Sequence, residues 1–183
     1  MKIIGITGTL GAGKGTIVEY LTRHHGFRHY SVRGYLTELI KANGQEVNRD
    51  TLTFTANDLR ANNSPSFIAE ELYKEALLSG GNCIIESIRT VGEVQALKGK
   101  GDFELYSVDT ERSLRYERIL LRGSETDHVS FETFSSNEDR ELSSTDPNKQ
   151  NLSACMALAD HHLLNNGTFE ELYAQIDKAL IKG

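Results

Sequence analysis

The sequence predicts an α/β fold of three layers: a five-stranded parallel sheet, helices on both faces and a helical lid. Three observations predict it. Short apolar runs alternate with stretches of helical periodicity along most of the chain, as a parallel sheet joined by helices requires. The first apolar run is closed by a glycine-rich turn that opens a helix. Residues 123–149 then break the alternation with a stretch rich in Ser, Thr, Asp, Glu and Asn, which reads as a lid or insertion and not as a linker.

The elements follow in order. Ile3 to Ile6 is an apolar strand closed by Gly8, and Ile17, Val18 and Leu21 recur at helical spacing up to Gly26. Residues 28–31 predict a second strand. Leu36, Leu39 and Ile40 mark a helix, and 54–63 and 67–78 two more, ended by Gly80-Gly81. Cys83-Ile84-Ile85 and residues 103–108 read as buried strands, each followed by a helical pattern, 91–98 and 111–122. In the polar stretch Phe131 and Phe134 are the main apolar residues, with Pro147 near its end. Residues 161–164 predict the last strand. Thr168-Phe169-Glu170-Glu171 has capping-box spacing ahead of an amphipathic helix carrying Leu172, Tyr173, Ile176 and Leu180.

Composition bounds the function. A chain of 183 residues with 38% hydrophobic content and 2 prolines supplies one real core, so residues 1–183 are expected to form a single domain. Twenty Lys+Arg against 26 Asp+Glu leave a net charge of -6, which argues against nonspecific nucleic-acid binding. Cys83 and Cys155 belong to no CxxC or Cys/His pattern, so neither a disulfide framework nor a zinc site is expected, and a reducing cytoplasm fits best. No apolar run approaches the roughly 20 residues that cross a bilayer, so a soluble protein without a membrane partner is expected, as a monomer or small homo-oligomer.

The chemistry is concentrated in Gly8-Thr9-Leu10-Gly11-Ala12-Gly13-Lys14-Gly15-Thr16, between the first strand and the first helix. Glycines let successive backbone N–H groups face one anion, the helix N-terminus adds its dipole, and Lys14 brings a mobile positive charge to the outer phosphates. The plain alternative is a glycine-rich turn with an exposed lysine; position and flanks weigh against it. The strict phosphate-loop pattern has Ser or Thr directly after the lysine. Here Gly15 stands there and Thr16 follows, so Thr16 is expected to hold Mg²⁺ partly through water.

Residues 11–16, Gly-Ala-Gly-Lys-Gly-Thr, resemble the adenylate kinase form of this P-loop, and with it the nucleoside monophosphate kinase superfamily. Along nearly the whole chain the sequence also resembles a dephospho-coenzyme A kinase-like group close to the adenylate kinases. The resemblance implies ATP and Mg²⁺ as cofactors and a small nucleotide as substrate. In such kinases an acid and an arginine follow the strand matching Cys83-Ile84-Ile85, which Glu86-Ser87-Ile88-Arg89 fits loosely. Glu86 is then a catalytic or metal-organising carboxylate, or only a helix cap, and Arg89 a phosphate ligand. Residues 31–80 correspond to the acceptor-binding region. There Gly34 and Thr37 replace the usual acid and arginine, and Arg33 and Arg60 are candidates to supply a cation.

Arg112, Arg115, Arg118 and Arg122 recur at three- and four-residue steps, which gathers them on one helical face. A salt-bridged exposed face with Glu111 and Glu117 is one reading; contact with ATP phosphates is the other. By resemblance Arg118 stacks on adenine, Arg122 reaches phosphates, and Arg140 closes over the donor from the lid. Asn137 and Glu138 stand where the related group carries Arg and Asp. Residues 159–168 resemble the last strand and loop of dephospho-coenzyme A kinases, which places Asn166 and Gly167 beside the adenine. Adjacent His161 and His162 sit on a strand and point to opposite faces, so they are not expected to share a metal. The expected activity is transfer of the ATP γ-phosphoryl group to a nucleoside or deoxynucleoside monophosphate. Transfer to dephospho-coenzyme A, or a regulatory nucleotide-binding role without efficient transfer, stand as alternatives.

Overall fold

The computed structural model describes residues 1–123, 129–146 and 149–182. Five parallel strands, β1 (Ile3–Gly8), β2 (Arg28–Ser31), β3 (Cys83–Glu86), β4 (Phe103–Asp109) and β5 (His161–Leu164), form one sheet in the order β2-β3-β1-β4-β5. All six residues of β1 are buried, because it lies at the centre with helices on both faces. Its alternate side chains feed two separate cores. Ile3, with Cys83, Ile85, Phe103 and Leu105, packs against one layer of helices. Ile4 and Ile6, with Ile84, Tyr106 and Val108, pack against the other.

The first layer contains α2 (Val32–Ala42), α3 (Arg49–Asn62), α4 (Phe67–Ser79), α5 (Val91–Lys98) and the short α8 (Leu152–Ala157). The second contains α1 (Lys14–His25) and α9 (Phe169–Lys182). The helix α6 (Arg112–Arg122) follows β4 at its C-terminal end, and α7 (Phe131–Leu142) follows it within the polar stretch. The lid expected over 123–149 therefore contains one regular helix; residues 124–128 and 147–148, Pro147 among them, lie outside the described residues.

Local chemistry explains where sequence boundaries shift. The helix expected from residue 54 begins at Arg49, because Asn48 and Thr51 form a reciprocal capping box that starts it earlier. The six residues of α8 are too few for a periodic signal, and only the Asn151 side chain accepting from Ala154 N marks its start. Ser31 caps α2 by accepting from Gly34 N, which turns the chain sharply out of β2. All five strands run the same way, so their C-terminal ends share one edge, and the loops after β1, β3, β4 and β5 meet there.

Candidate active site

The loop after β1 is built around glycines that have no substitute. Gly11 and Gly13 have φ of +78° and +105°. A Cβ on Gly13 would lie 2.2 Å from Asn165 Nδ2, and one on Gly11 would lie 2.8 Å from the Arg115 carbonyl. Gly13 caps α1 without any side-chain hydrogen bond, and no acid occupies the first turn. The N-terminus of a 12-residue helix is thus left with its partial positive charge facing an open space.

Lys14 opens that helix, and its Nζ donates to the Gly8 and Thr9 carbonyls at 2.8 and 2.9 Å. Burial, and next the Arg89 guanidinium, pull the ammonium from 10.5 down to about 7, with Glu86 opposing. Asn165, 4% exposed at the end of β5, holds the loop from the far side by donating to the Ala12 carbonyl at 2.9 Å. The Thr110 hydroxyl donates to the same carbonyl at 3.1 Å.

In front of the loop lies a cleft of about 910 Å³ lined by Leu10, Gly11, Gly13 to Thr16, Ser31, Arg33, Glu86, Ser87, Arg89, Arg118, Ile119, Arg122, Asn165 and Phe169. Arg118 and Arg122 line it from α6, Arg33 from α2, and Glu86 and Arg89 from the end of β3. Glu86 Oε2 is 3.0 Å from His29 Nε2 on the neighbouring strand. That bond first, then the charges of His29, Lys14 and Arg89, hold the carboxyl below its usual range. Ser87 sits at φ +71°, a left-handed backbone that a glycine adopts without strain. Arg89 Nη1 donates to Gln150 Oε1 at 2.8 Å and lies 3.7 Å from Glu141 Oε2 on α7.

The four arginines of α6 divide between two tasks. Arg115 is buried, donating to the Thr110 and Leu10 carbonyls and pairing with Glu138 of α7 at 2.6 Å. Arg112 meets Glu138 and Asp139 at 2.9 and 2.7 Å. Both therefore join α6 to α7, which leaves Arg118 and Arg122 for the cleft.

Several expected site residues lie elsewhere. Arg60 does not line the cleft; its side chain is 5% exposed and pairs with the fully buried Glu93 at 3.2 Å. Burial with a specific partner, not solvent, decides its position. Arg140 lies outside the cleft lining, exposed on α7, and donates to Asn137 on its own helix. Asn166 is turned away, its Oδ1 accepting from Glu111 N at 3.0 Å, and Gly167 lies against the Glu171 carboxylate. The loop after β5 contributes Asn165 instead, one residue earlier. Asn165, His29, Ser87 and Phe169 escaped the sequence reading as site residues. Asn165 and His29 act through residues 153 and 57 positions away, and no local pattern encodes such contacts. His161 and His162 bond separately to Glu104 and Ser107. Among the described residues no three His, Cys, Asp or Glu cluster as metal ligands.

The donor set suits a nucleotide with a cation bound mainly to its phosphates. The glycine cradle would be filled by any Cβ at Gly13, the uncapped helix end awaits an anion, and Thr16 and Glu86 both face the cleft. Those are the chain's candidates to hold Mg²⁺, directly or through water.

Fold and cleft together define a P-loop protein of the kinase-like type, with a five-stranded parallel sheet and the phosphate loop at its C-terminal edge. The chain belongs to the AAA domain family, whose model matches residues 4–143, and to the UPF0200 proteins within that breadth of similarity. A UPF0200 protein of Pyrobaculum aerophilum is 30% identical over 186 residues, covering 100% of this chain and 98% of that protein. Two solved structures share the fold. TT1252 from Thermus thermophilus aligns with a TM-score of 0.62 at 19% identity, covering 99% of this chain and 97% of its own. Dephospho-CoA kinase from Campylobacter jejuni aligns at 0.57 and 16% identity, covering 100% and 97%. No described helix is long and apolar enough to cross a membrane.

Proposed function

We propose that the protein is an ATP-dependent phosphotransferase that phosphorylates a nucleoside or deoxynucleoside monophosphate in the cytoplasm. One observation carries this reading: a single cleft is lined by the phosphate loop and Lys14 together with four arginines, Arg33, Arg89, Arg118 and Arg122. A donor polyphosphate and an acceptor phosphate both need cations, and that many in one space suit in-line transfer between the two.

In this reading the loop N–H groups, the end of α1 and Lys14 hold the donor phosphates, and Arg118 and Arg122 flank its base and outer phosphates. Arg33 and Arg89 orient the acceptor, so that one phosphate oxygen faces the γ-phosphorus opposite the leaving bridge oxygen. Thr16 and Glu86 would hold Mg²⁺, which would supply positive charge against the charge of the phosphates. Arg140 joins the donor when α7 moves toward the cleft and the arginine side chain turns away from Asn137 on the same helix. Free Cys83 and Cys155, both buried, are in keeping with a reducing compartment.

The test is ADP formation from Mg·ATP across ribo- and deoxynucleoside monophosphates and dephospho-coenzyme A. Lys14→Ala should cost turnover roughly 100-fold or more. Full turnover in that variant would refute the mechanism, and turnover with dephospho-coenzyme A alone would reassign the acceptor. A second reading, a nucleotide-binding regulator, is favoured by Arg89 already being engaged by Gln150 and Glu141. Tight ATP binding with no acceptor-dependent ADP would support it.

A further inference from the structure

Arg89 lies in neither a helix nor a strand, yet its backbone is gripped from both sides. Its N–H donates to Glu93 Oε2 at 2.8 Å, and its carbonyl accepts from Asn151 N at 2.9 Å. Glu93 is completely buried, and the same Oε2 also accepts from Thr90 N at 3.0 Å. Its other oxygen, Oε1, is held by Arg60 Nη2 at 3.2 Å. Arg60 belongs to α3, in the helical region after β2, and is itself nine-tenths buried with an Nε that has no hydrogen-bond partner among the described residues.

A helix cap needs only the two backbone donors and the Thr90 side chain that completes the capping box. Burying a carboxylate fully, and spending a buried guanidinium on it, adds desolvation that a cap alone does not require. What the pair adds is a mechanical link: a charge on α3 fixes the rotamer of the carboxylate that fixes the Arg89 peptide. We infer that Arg60 and Glu93 are positioning residues that set the place of Arg89 for an acceptor phosphate and connect it to the α3 region. The inference rests on the reading of the Arg89 end of the cleft as the acceptor site. Arg60, which the sequence put forward as a phosphate ligand, thus acts on the phosphate through Arg89 and does not touch it.

Without Arg60 the carboxylate keeps its burial and loses its counter-charge, so Glu93 turns and the Arg89 N–H loses its fixed partner. The donor loop shares none of these hydrogen bonds and meets them only through the charge of Arg89 beside Lys14. The experiment compares Arg60→Met, Arg60→Lys and Glu93→Gln, alone and with Arg89→Ala, in the full chain. Affinities for AMP, CMP, GMP and UMP are measured beside that for ATP, and hydrogen exchange is followed at the Arg89 and Thr90 amides. Glu93→Gln keeps an oxygen for the backbone without burying an unpaired charge, so it reports even if Arg60→Met folds poorly.

The expected result is exchange at Arg89 about tenfold faster in Arg60→Met, monophosphate affinity about tenfold weaker, and ATP affinity within about twofold of the parent. Arg60→Lys should recover most of the loss. In the Arg89→Ala background the Arg60 change should cost less than about twofold, because its effect runs through Arg89. Equal weakening of ATP and monophosphate, unchanged exchange at Arg89, or full additivity with Arg89→Ala would overturn the inference and leave the acceptor reading standing. If the parent chain binds no monophosphate although Arg89 exchange still responds to Arg60, the acceptor reading fails. The pair is then a scaffold contact and not a positioning device.

Discussion

At Lys14 burial and the neighbouring Arg89 lower the ammonium from 10.5 to about 7, so the group is poised to change charge when phosphates arrive. The unfolded chain keeps this proton up to about 10.5, so between pH 7 and 10.5 it binds more protons than the folded chain and stability rises with pH. Lys14→Met should flatten that rise, seen as a smaller gain in urea-unfolding free energy between pH 7 and pH 10. An anionic ligand restores the charged form, so ATP binding at pH 8 should take up protons in the parent and not in Lys14→Met. Calorimetry in buffers of different ionisation enthalpy measures this. Ser87 is a second residue-scale case. Its left-handed backbone costs a side chain about 1–2 kcal/mol, offset in part by the unfolded-chain entropy a glycine brings. Ser87→Gly should therefore leave stability within about 1 kcal/mol of the parent or raise it, whereas Ser87→Val, whose β-branched side chain fits the left-handed region worse than serine does, should lower it in the same urea measurement. No pattern in the sequence announces this conformation; the φ of +71° is seen only in the folded chain.

At the scale of elements, the arginine helix carries the clearest division of labour. A 12-residue turn-by-turn pattern put four cations on one face, but periodicity does not say which neighbour each one meets. Packing does: Arg115 and Arg112 fasten α6 to α7 through Glu138, and Arg118 and Arg122 are left facing the cleft. Arg115 and Glu138 are both about 4–5% exposed, so removing one partner strands the other in the interior. Glu138→Ala should cost about 3–5 kcal/mol, while Arg112→Ala, whose side chain is 37% exposed, should cost under about 1 kcal/mol. Thermal and urea unfolding of the two variants checks the contrast. The Glu138 seen in the sequence as a departure from the related group is thus the buried counter-charge for Arg115.

For the whole molecule, a ligand that binds only the folded chain stabilises all of it. ATP at 100 times its dissociation constant should add about 2.7 kcal/mol to unfolding, and Lys14→Ala should lose most of that gain at the same concentration, read as a thermal shift. The sequence by itself determined the alternation of strands and helices, the parallel sheet and the phosphate loop. Those signals are local: a buried strand is a run of apolar residues, a helix is a period, and the loop is nine consecutive residues with the backbone freedom and charge of a phosphate loop. It also pointed to Arg33, Glu86, Arg89, Arg118 and Arg122, which line one cleft, because each sits at a fixed offset from a strand end or a helix turn that the fold delivers to one edge. Only the tertiary structure decided that Arg60 answers Glu93, that His29 holds Glu86, that Asn165 supports the phosphate loop, and that Arg115 belongs to α7. Each of those depends on a partner 23 to 153 positions away, and a buried polar group settles with whichever partner satisfies it once strands and helices have packed.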